Sequence, residues 1–286
     1  MRIAISGMSG LVGSGLSNYL PLNLDCEVLP ISRLMLYGDV NNLAQFLEGC
    51  DVVIHLSGAS ILQRWTQKAK RLIWESRVTT TRNLVSAFAK MKKVPSAFIS
   101  TSACGCFDVQ GIHDENSEKW ACDFLGQLCF QWEKEAMKAS QYGVRTSVFR
   151  FGVVLSPLGG VLRKVVSVFK LGLGGRVGSG SQPFPFVHLE DLLRAYVHVL
   201  QNDGCKGFYH LVAPELVTNK DFTQTMSRVL NRPAWFALPS WILKGIYGEG
   251  AQVITQGQRI LTKRLHASGF EYKYPSLDSS LANLLE

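Results

Sequence analysis

One stretch limits the fold of this chain more than any other: Arg2-Ile-Ala-Ile-Ser6 running into Gly7-Met8-Ser9-Gly10-Leu11-Val12-Gly13. A short β-rich run ends at Gly7. Apolar residues at Leu11, Val12, Leu16, Tyr19 and Leu20 then follow helical spacing. Each glycine has a task in such a strand–turn–helix unit. Gly7 permits a tight turn without a Cβ, Gly10 lets backbone approach a ligand, and Gly13 lets the helix sit close to the strand. The helix start offers unpaired N–H groups and a partial positive charge to a pyrophosphate. The spacing is Gly-x-x-Gly-x-x-Gly rather than Gly-x-Gly-x-x-Gly. Its place in the first strand–helix unit still points to dinucleotide binding.

The remaining chain repeats that rhythm. Extended or uninterrupted apolar runs at residues 27–32, 51–56, 97–102 and 144–155 alternate with helical patterns at 43–47, at 68–90 (one helix or a broken pair) and at 123–140. Strands buried on both faces read this way, because helices cover both sides of a parallel sheet. The expected fold is α/β, a doubly wound parallel sheet with a smaller C-terminal cap. Residues 1–155 supply the dinucleotide-binding domain, to which later segments partly return. Residues 156–286 supply a substrate-side cap and C-terminal segment. Past residue 156 the chain turns Gly-rich, through Gly159-Gly160, Gly172, Gly174-Gly175, Gly178 and Gly180, and then reaches Pro183-Phe-Pro-Phe186. Phe186 is a candidate substrate-pocket residue on that account. Helices are expected at 192–201, 219–230 and 241–259.

Composition excludes several classes. A chain of 286 residues with 47% hydrophobic residues is not disordered, and it has room for one large α/β domain or two modest ones. No apolar run is long enough for a membrane span, and no secretory signal opens the chain, so a cytoplasmic protein with no membrane partner is expected. Seven cysteines without a Cys-x-x-Cys pair read as reduced thiols, and no metal site is expected. The net charge of +8 is spread along the chain. Nucleic acid is therefore not the expected partner; an anionic small molecule is.

The second strand closes on Ile31-Ser32-Arg33, and Arg33 lies 20 positions past Gly13. NAD binders place an acidic residue near this point to hold the ribose 2′-hydroxyl. No Asp or Glu stands here. A guanidinium at the strand end clasps a 2′-phosphate through charge-assisted bonds, and Ser32 adds a hydroxyl. NADP(H) is therefore expected ahead of NAD(H). A solvent-facing Arg33 is the plain alternative. Arg64-Trp65, after the third strand, suits an anionic planar ligand or simple packing beneath a loop.

The N-terminal loop, His55-Leu-Ser-Gly58, Ser100-Thr-Ser102 and Arg150-Phe-Gly152 together resemble the extended short-chain dehydrogenase/reductases. Arg64-Trp65, Ser76-Arg77-Val-Thr-Thr-Thr81, Trp132-Glu133, Phe169-Lys-Leu-Gly-Leu-Gly-Gly175, Gly178-Ser-Gly180, Arg232-Pro233, Gly269-Phe270 and Tyr274-Pro275 narrow the resemblance. They are similar to the epimerase-like branch, the NAD-dependent epimerase/dehydratase proteins with a small C-terminal domain. The resemblance implies a Rossmann fold. It implies that Gly7, Ser9, Gly10, Leu11, Val12 and Gly13 hold the pyrophosphate and that Ser32 and Arg33 face the 2′-phosphate. Leu56, Ser57 and Gly58 would line the adenine and ribose, Arg77 would reach the cofactor, and Ser100, Thr101 and Val153 would border the nicotinamide. Leu56 and Val153 equally fit core positions, and Arg77 equally fits an ion pair.

The wider superfamily works through a Tyr acid/base tuned by a Lys one helical turn later, with a Ser or Thr steadying the substrate oxygen. None of the eight tyrosines here has that Lys. The expected helix carries Phe124 and Leu128 instead. Ser102 fits the Ser position, and Cys106-Phe107 replace the two aromatic residues usual after it. Ser102, Cys106, Asp123 and His188 remain candidate proton-relay residues. Cys106 equally fits a small apolar filler, and the stretch around His188 equally fits a helix start. The sequence therefore implies either an NADP-dependent oxidoreductase or epimerase-like enzyme on a small polar substrate, or an NADPH-binding sensor or regulator without turnover. Its oligomeric state is not legible.

Overall fold

The computed structural model describes residues 1–285. The chain runs through β1 (Arg2–Ser6), α1 (Leu11–Asn23), β2 (Glu27–Ile31), α2 (Arg33–Tyr37), α3 (Val40–Leu47) and β3 (Val52–His55). Then come α4 (Gln67–Trp74), a π-helical turn (Glu75–Thr79), α5 (Thr80–Phe88), β4 (Ala97–Ala103), α6 (Phe124–Met137) and β5 (Arg145–Phe151). The later elements are α7 (Gly160–Lys170), α8 (Leu189–Gln201), β6 (Gly207–Leu211), α9 (Asn219–Val229), α10 (Ser240–Tyr247), α11 (Gln252–Thr255), α12 (Lys263–Ala267) and α13 (Leu277–Leu285).

β1 to β6 form a single sheet in the order β6-β5-β4-β3-β1-β2, and each neighbouring pair is parallel. Alternation along the strands explains why their runs are apolar throughout. Ile3, Ile5, Val52 and Ile54 pack with Leu16 and Leu20 of α1 and Leu192 and Tyr196 of α8. Ala4 and Val53, one residue out of phase, pack with Leu43 and Leu47 of α3 and Leu84 and Phe88 of α5 on the other face. Both sets are buried, as a doubly covered parallel sheet requires. The strand order reverses between β1 and β3, where Ser6 pairs with Ile31 on one side and His55 on the other. A crevice at the carboxyl ends of β1 and β3 follows from that reversal, and ligands of such sheets bind there.

α8 and β6 return to this sheet late in the chain. A separate cluster of Leu155, Leu162, Phe169, Phe186, Phe222, Met226 and Leu281 builds the cap around α7, α9 and α13. The two long helical patterns fold differently from one another. The pattern at 68–90 holds as helix but passes through the π-helical turn, which presents Arg77. The pattern at 241–259 breaks into α10, a 3₁₀ turn (Gly248–Ala251), α11 and a short strand Arg259–Ile260. The break has a local cause. Gly248 has φ of 57°, and a Cβ added at Gly250 would lie 2.2 Å from the Gln63 carbonyl oxygen. Close docking onto residues 63–65 stops a continuous helix there.

Candidate functional site

The glycine loop is built by contacts that exclude side chains. Gly7 has φ of +77°, and a Cβ there would sit 2.8 Å from the Leu56 carbonyl carbon. A Cβ on Gly13 would lie 2.2 Å from the Gly7 oxygen. Gly10 N–H donates to the Gly7 oxygen at 3.0 Å and closes the turn. Gly10 is also the N-cap of α1, where no side chain among the described residues caps the helix and no acidic residue occupies the first turn. The start of α1 thus faces the crevice with its amides uncapped beside exposed Ser9 and Gly10 and half-buried Leu11 and Val12. An anion is what such a helix start attracts.

A buried polar clamp locks this loop to β3. Ser6 Oγ accepts from Leu56 N–H at 3.1 Å and lies 2.6 Å from His55 Nδ1. His55 Nε2 lies 3.2 Å from Thr80 Oγ1, and Thr80 Oγ1 donates to the Ser76 oxygen at 2.9 Å. The network assigns a neutral His55 that accepts at Nδ1 from Ser6 and donates at Nε2 to Thr80. Burial, with the Arg77 charge nearby, pushes its pKa down to about 3. Thr101 Oγ1 donates to the His55 oxygen at 3.0 Å and ties β4 to the same point. The clamp role of Ser6, His55 and Thr80 was not read from the sequence. The only signal was polar residues closing two otherwise apolar strands.

Ser57 is half-buried and Gly58 exposed at the end of β3, with Leu56 half-buried behind them. Arg77 lies against this turn: a Cβ on Gly58 would stand 2.8 Å from the Arg77 Cζ. Its Nη1 donates to the Ile73 oxygen at 3.3 Å, and its guanidinium lies 5.5 Å from the Trp132 ring centre. No carboxylate pairs with it among the described residues, and burial pulls its pKa down. At the end of β2, Ser32 caps α2 by accepting from Met35 N–H at 3.2 Å. Arg33 is exposed, 5.6 Å from the Tyr37 ring centre, and has no ion-pair partner among the described residues.

The proposed chemical end looks different. The Ser100 and Ser102 hydroxyls are buried and have no nitrogen or oxygen hydrogen-bond partner among the described residues, and Ser102 lies beside the Cys129 thiol. Cys106 is fully buried beside Cys104, Phe107 and Cys129, and burial holds its thiol pKa well above the ordinary value. Such a thiol stays protonated and unreactive at neutral pH. Asp123 caps α6 through Gly126 N–H at 2.9 Å. Phe124 meets Trp65 edge-on at 5.2 Å, and Leu128 is buried with Ile73, Val78 and Trp132. The places a Tyr and Lys would occupy are therefore apolar.

Other candidates serve packing. Trp65 Nε1 donates to the Ile61 oxygen at 2.9 Å, while Arg64 Nη1 donates to the Gly245 oxygen at 2.9 Å. This pair thus fastens the turn after β3 to α10. His188 caps α8: its Nδ1 accepts from Glu190 N–H at 3.0 Å, its Nε2 lies 3.2 Å from Asn283 Oδ1, and its ring stacks on Tyr274 at 3.9 Å. Burial lowers its pKa. Val153 is half-buried and pairs in register with Phe186, itself 1% exposed within the cap core. A cavity of about 450 Å³ opens between the start of α6 and the α10–α11 segment, lined by Asp123, Phe124, Lys244, Gln252, Thr255 and Gln256.

Several known proteins are similar over nearly this whole length. The chain is 32% identical to the epimerase family protein YfhF of Bacillus subtilis, across 100% of this chain and 98% of that protein. It is 34% identical to the chloroplastic epimerase family protein SDR39U1 homolog of Arabidopsis thaliana, across 100% of this chain and 87% of that protein. The crystal structure of human epimerase family protein SDR39U1 with NADPH superposes with a TM-score of 0.91 at 31% identity, covering 99% of each chain. UDP-glucuronic acid 4-epimerase of Bacillus cereus shares the fold at a TM-score of 0.80 and 16% identity, with 99% of this chain and 98% of that one covered. Residues 238–284, from the last residue of the short strand Phe236–Leu238 to α13, match a domain of unknown function, DUF1731. A family match from residue 3 to residue 211 spans every strand that borders the crevice, and the chain belongs to the NAD dependent epimerase/dehydratase family.

Proposed function

We propose that this protein binds NADP(H) and works on a small polar substrate as an oxidoreductase or epimerase-like enzyme. Arg33 carries the choice of cofactor: it is exposed at the end of β2, free of any ion pair among the described residues, where an acidic residue would have favoured NAD. Gly7, Ser9, Gly10, Leu11, Val12 and Gly13 would hold the pyrophosphate, and Ser32 with Arg33 the 2′-phosphate. Leu56, Ser57 and Gly58 would line the adenosine, Arg77 would supply countercharge beneath Gly58, and Ser100, Thr101 and Val153 would border the nicotinamide. The cradle suits that group because its three glycines leave no room for side chains and its helix start is uncapped. Human SDR39U1, bound to NADPH in its crystal structure, supports the same assignment.

When bound, a nicotinamide dinucleotide supplies hydride transfer. The chain's own residues bind it, orient it and keep water from its inner face. Ser102 would be the remaining hydroxyl at the position that steadies a substrate oxygen; it is buried beside the Cys129 thiol. Arg64, Trp65 and Phe186 would act on substrate through the shape of the cap, not by direct chemistry. A second reading, an NADPH-binding sensor without turnover, is favoured by one observation: Phe124 and Leu128 sit in an apolar cluster that leaves no tuned proton donor.

Titration of NADPH and NADH against wild type and Arg33→Ala tests the cofactor. Selective loss of NADPH affinity supports the clasp; an unchanged preference overturns it. Incubation with stereospecifically deuterated NADPH and a pool of polar carbonyl metabolites then separates the two readings. Deuterium in a product means turnover, and its absence across the pool favours the sensor.

A further inference from the structure

The cap carries a surface that cofactor binding does not use. α7 turns its buried side, Leu162 and Phe169, to the cap core and leaves Arg163, Lys164, Val168 and Lys170 exposed. The chain continues outward through Leu171 and Leu173, 74% and 55% exposed. A Cβ on Gly172 would lie 3.6 Å from Pro233, which sets this turn beside the segment that leads to Trp235 and Phe236. The short strand Phe236–Leu238 pairs with Gly175–Val177, and Gly178 lies against the Ser240 hydroxyl, so the start of α10 joins the same side. Trp235 and Trp241 stand 89% and 72% exposed. These contacts bring two exposed indoles, a phenyl ring and three exposed leucines, Leu171, Leu173 and Leu238, onto adjoining segments of the cap.

Its charge has one sign. Residues 136–189 and 222–248 contain no Asp or Glu. Arg163, Lys164, Lys170, Arg176 and Arg232 are all exposed, and none makes an ion pair among the described residues. The acidic residues at its margins are already engaged, Glu249 with Lys70 and Asp278 with Arg228. A second copy placed on this face would set these cations against their own kind. An anionic surface with an apolar interior matches both halves of the patch.

We infer that this face of the cap docks on an anionic lipid bilayer. Trp235, Phe236, Trp241, Leu171 and Leu173 enter the headgroup region, and the surrounding Lys and Arg side chains meet the lipid phosphates. Indole rings favour that depth, and basic residues add attraction that fades within a Debye length. No helix among the described residues is long and apolar enough to cross a membrane, and docking at the interface requires none. The expectation of no membrane partner came from the missing span and missing signal, and these bear on crossing and export alone.

The test is co-sedimentation of the full chain with vesicles of equal parts phosphatidylcholine and phosphatidylglycerol, against vesicles of phosphatidylcholine alone. Binding is expected to the mixed vesicles, weakened by added salt, and to be roughly tenfold or more weaker in the Trp235→Ser, Trp241→Ser double variant. NADPH affinity is expected to be unchanged in that variant, which shows that it is folded. No sedimentation with the mixed vesicles overturns the inference, as does equal binding by the double variant. Concentration-dependent dimerisation of wild type that the double variant loses, without vesicle binding, would assign the face to a second copy and also overturn it.

Discussion

Arg33, Gly13 and His188 show how differently single residues bear on this site. Arg33 is exposed at the foot of α2, with no ion-pair partner among the described residues and only a 5.6 Å approach to the Tyr37 ring, so Arg33→Ala should leave stability nearly unchanged. Loss of a charge-assisted contact worth about 1.5–3 kcal/mol should weaken NADPH roughly tenfold to a hundredfold, with NADH unaffected in the same fluorescence titration. Gly13→Ala is the reverse case. Its methyl would lie 2.2 Å from the Gly7 oxygen, so α1 must move off β1. Cofactor binding should vanish, and thermal unfolding should show destabilisation of about 1–3 kcal/mol. His188 accepts from Glu190 N–H and stacks on Tyr274. His188→Ala should cost about 1 kcal/mol of stability, as loss of a helix cap does, without shifting any pH profile of activity. The tight turn of the three glycines and the place of Arg33 at the end of β2 were legible because spacing along the chain reports backbone geometry directly. The Ser6–His55–Thr80 clamp was not, because its members lie 49 and 25 positions apart and meet only across the sheet.

Among elements, β5 and α6 are joined by a fully buried ion pair. Arg150 donates from Nε and Nη2 to the two oxygens of Glu133, at 2.9 and 2.7 Å, and its guanidinium is flanked by Phe107, Trp120 and Phe208. Glu133→Gln leaves the guanidinium buried without a counter-charge. It should destabilise the protein by about 3–5 kcal/mol in denaturant unfolding. The strands were readable as elements because each buries both faces, which leaves an unbroken apolar run. The 241–259 pattern misled for a tertiary reason. Its apolar period is helical, but Gly250 must pass within a side chain's breadth of Gln63, and that contact ends the helix. The π-helical turn at Glu75–Thr79 has no signature in composition either. It places Arg77 beneath Gly58, and turns of this kind recur at functional sites.

Taken whole, the molecule should be acid-labile. His55 and His210 are buried neutral, with pKa values pushed down to about 3 chiefly by burial, against about 6.5 for a free imidazole. Between those values the unfolded chain takes up protons that the folded chain refuses. Stability contributed by the neutral rings is therefore fully present above about pH 6.5 and declines as the pH falls toward 3. Thermal unfolding followed by circular dichroism should show a falling midpoint over that window, with a shallower slope in His55→Gln. A flat profile would mean that these rings are not held neutral.

Residue order alone settled the parallel sheet, the glycine cradle and the guanidinium at the second strand's end, since each depends on local spacing and on burial of both strand faces. It also exposed the missing Tyr and Lys. Folding settled what surrounds those features. Whether Arg77 finds a carboxylate, whether Cys106 meets water, and which cations and indoles share the outer face of the cap all depend on segments brought together from distant parts of the chain. Spacing carries no information about such meetings, because they are made by packing.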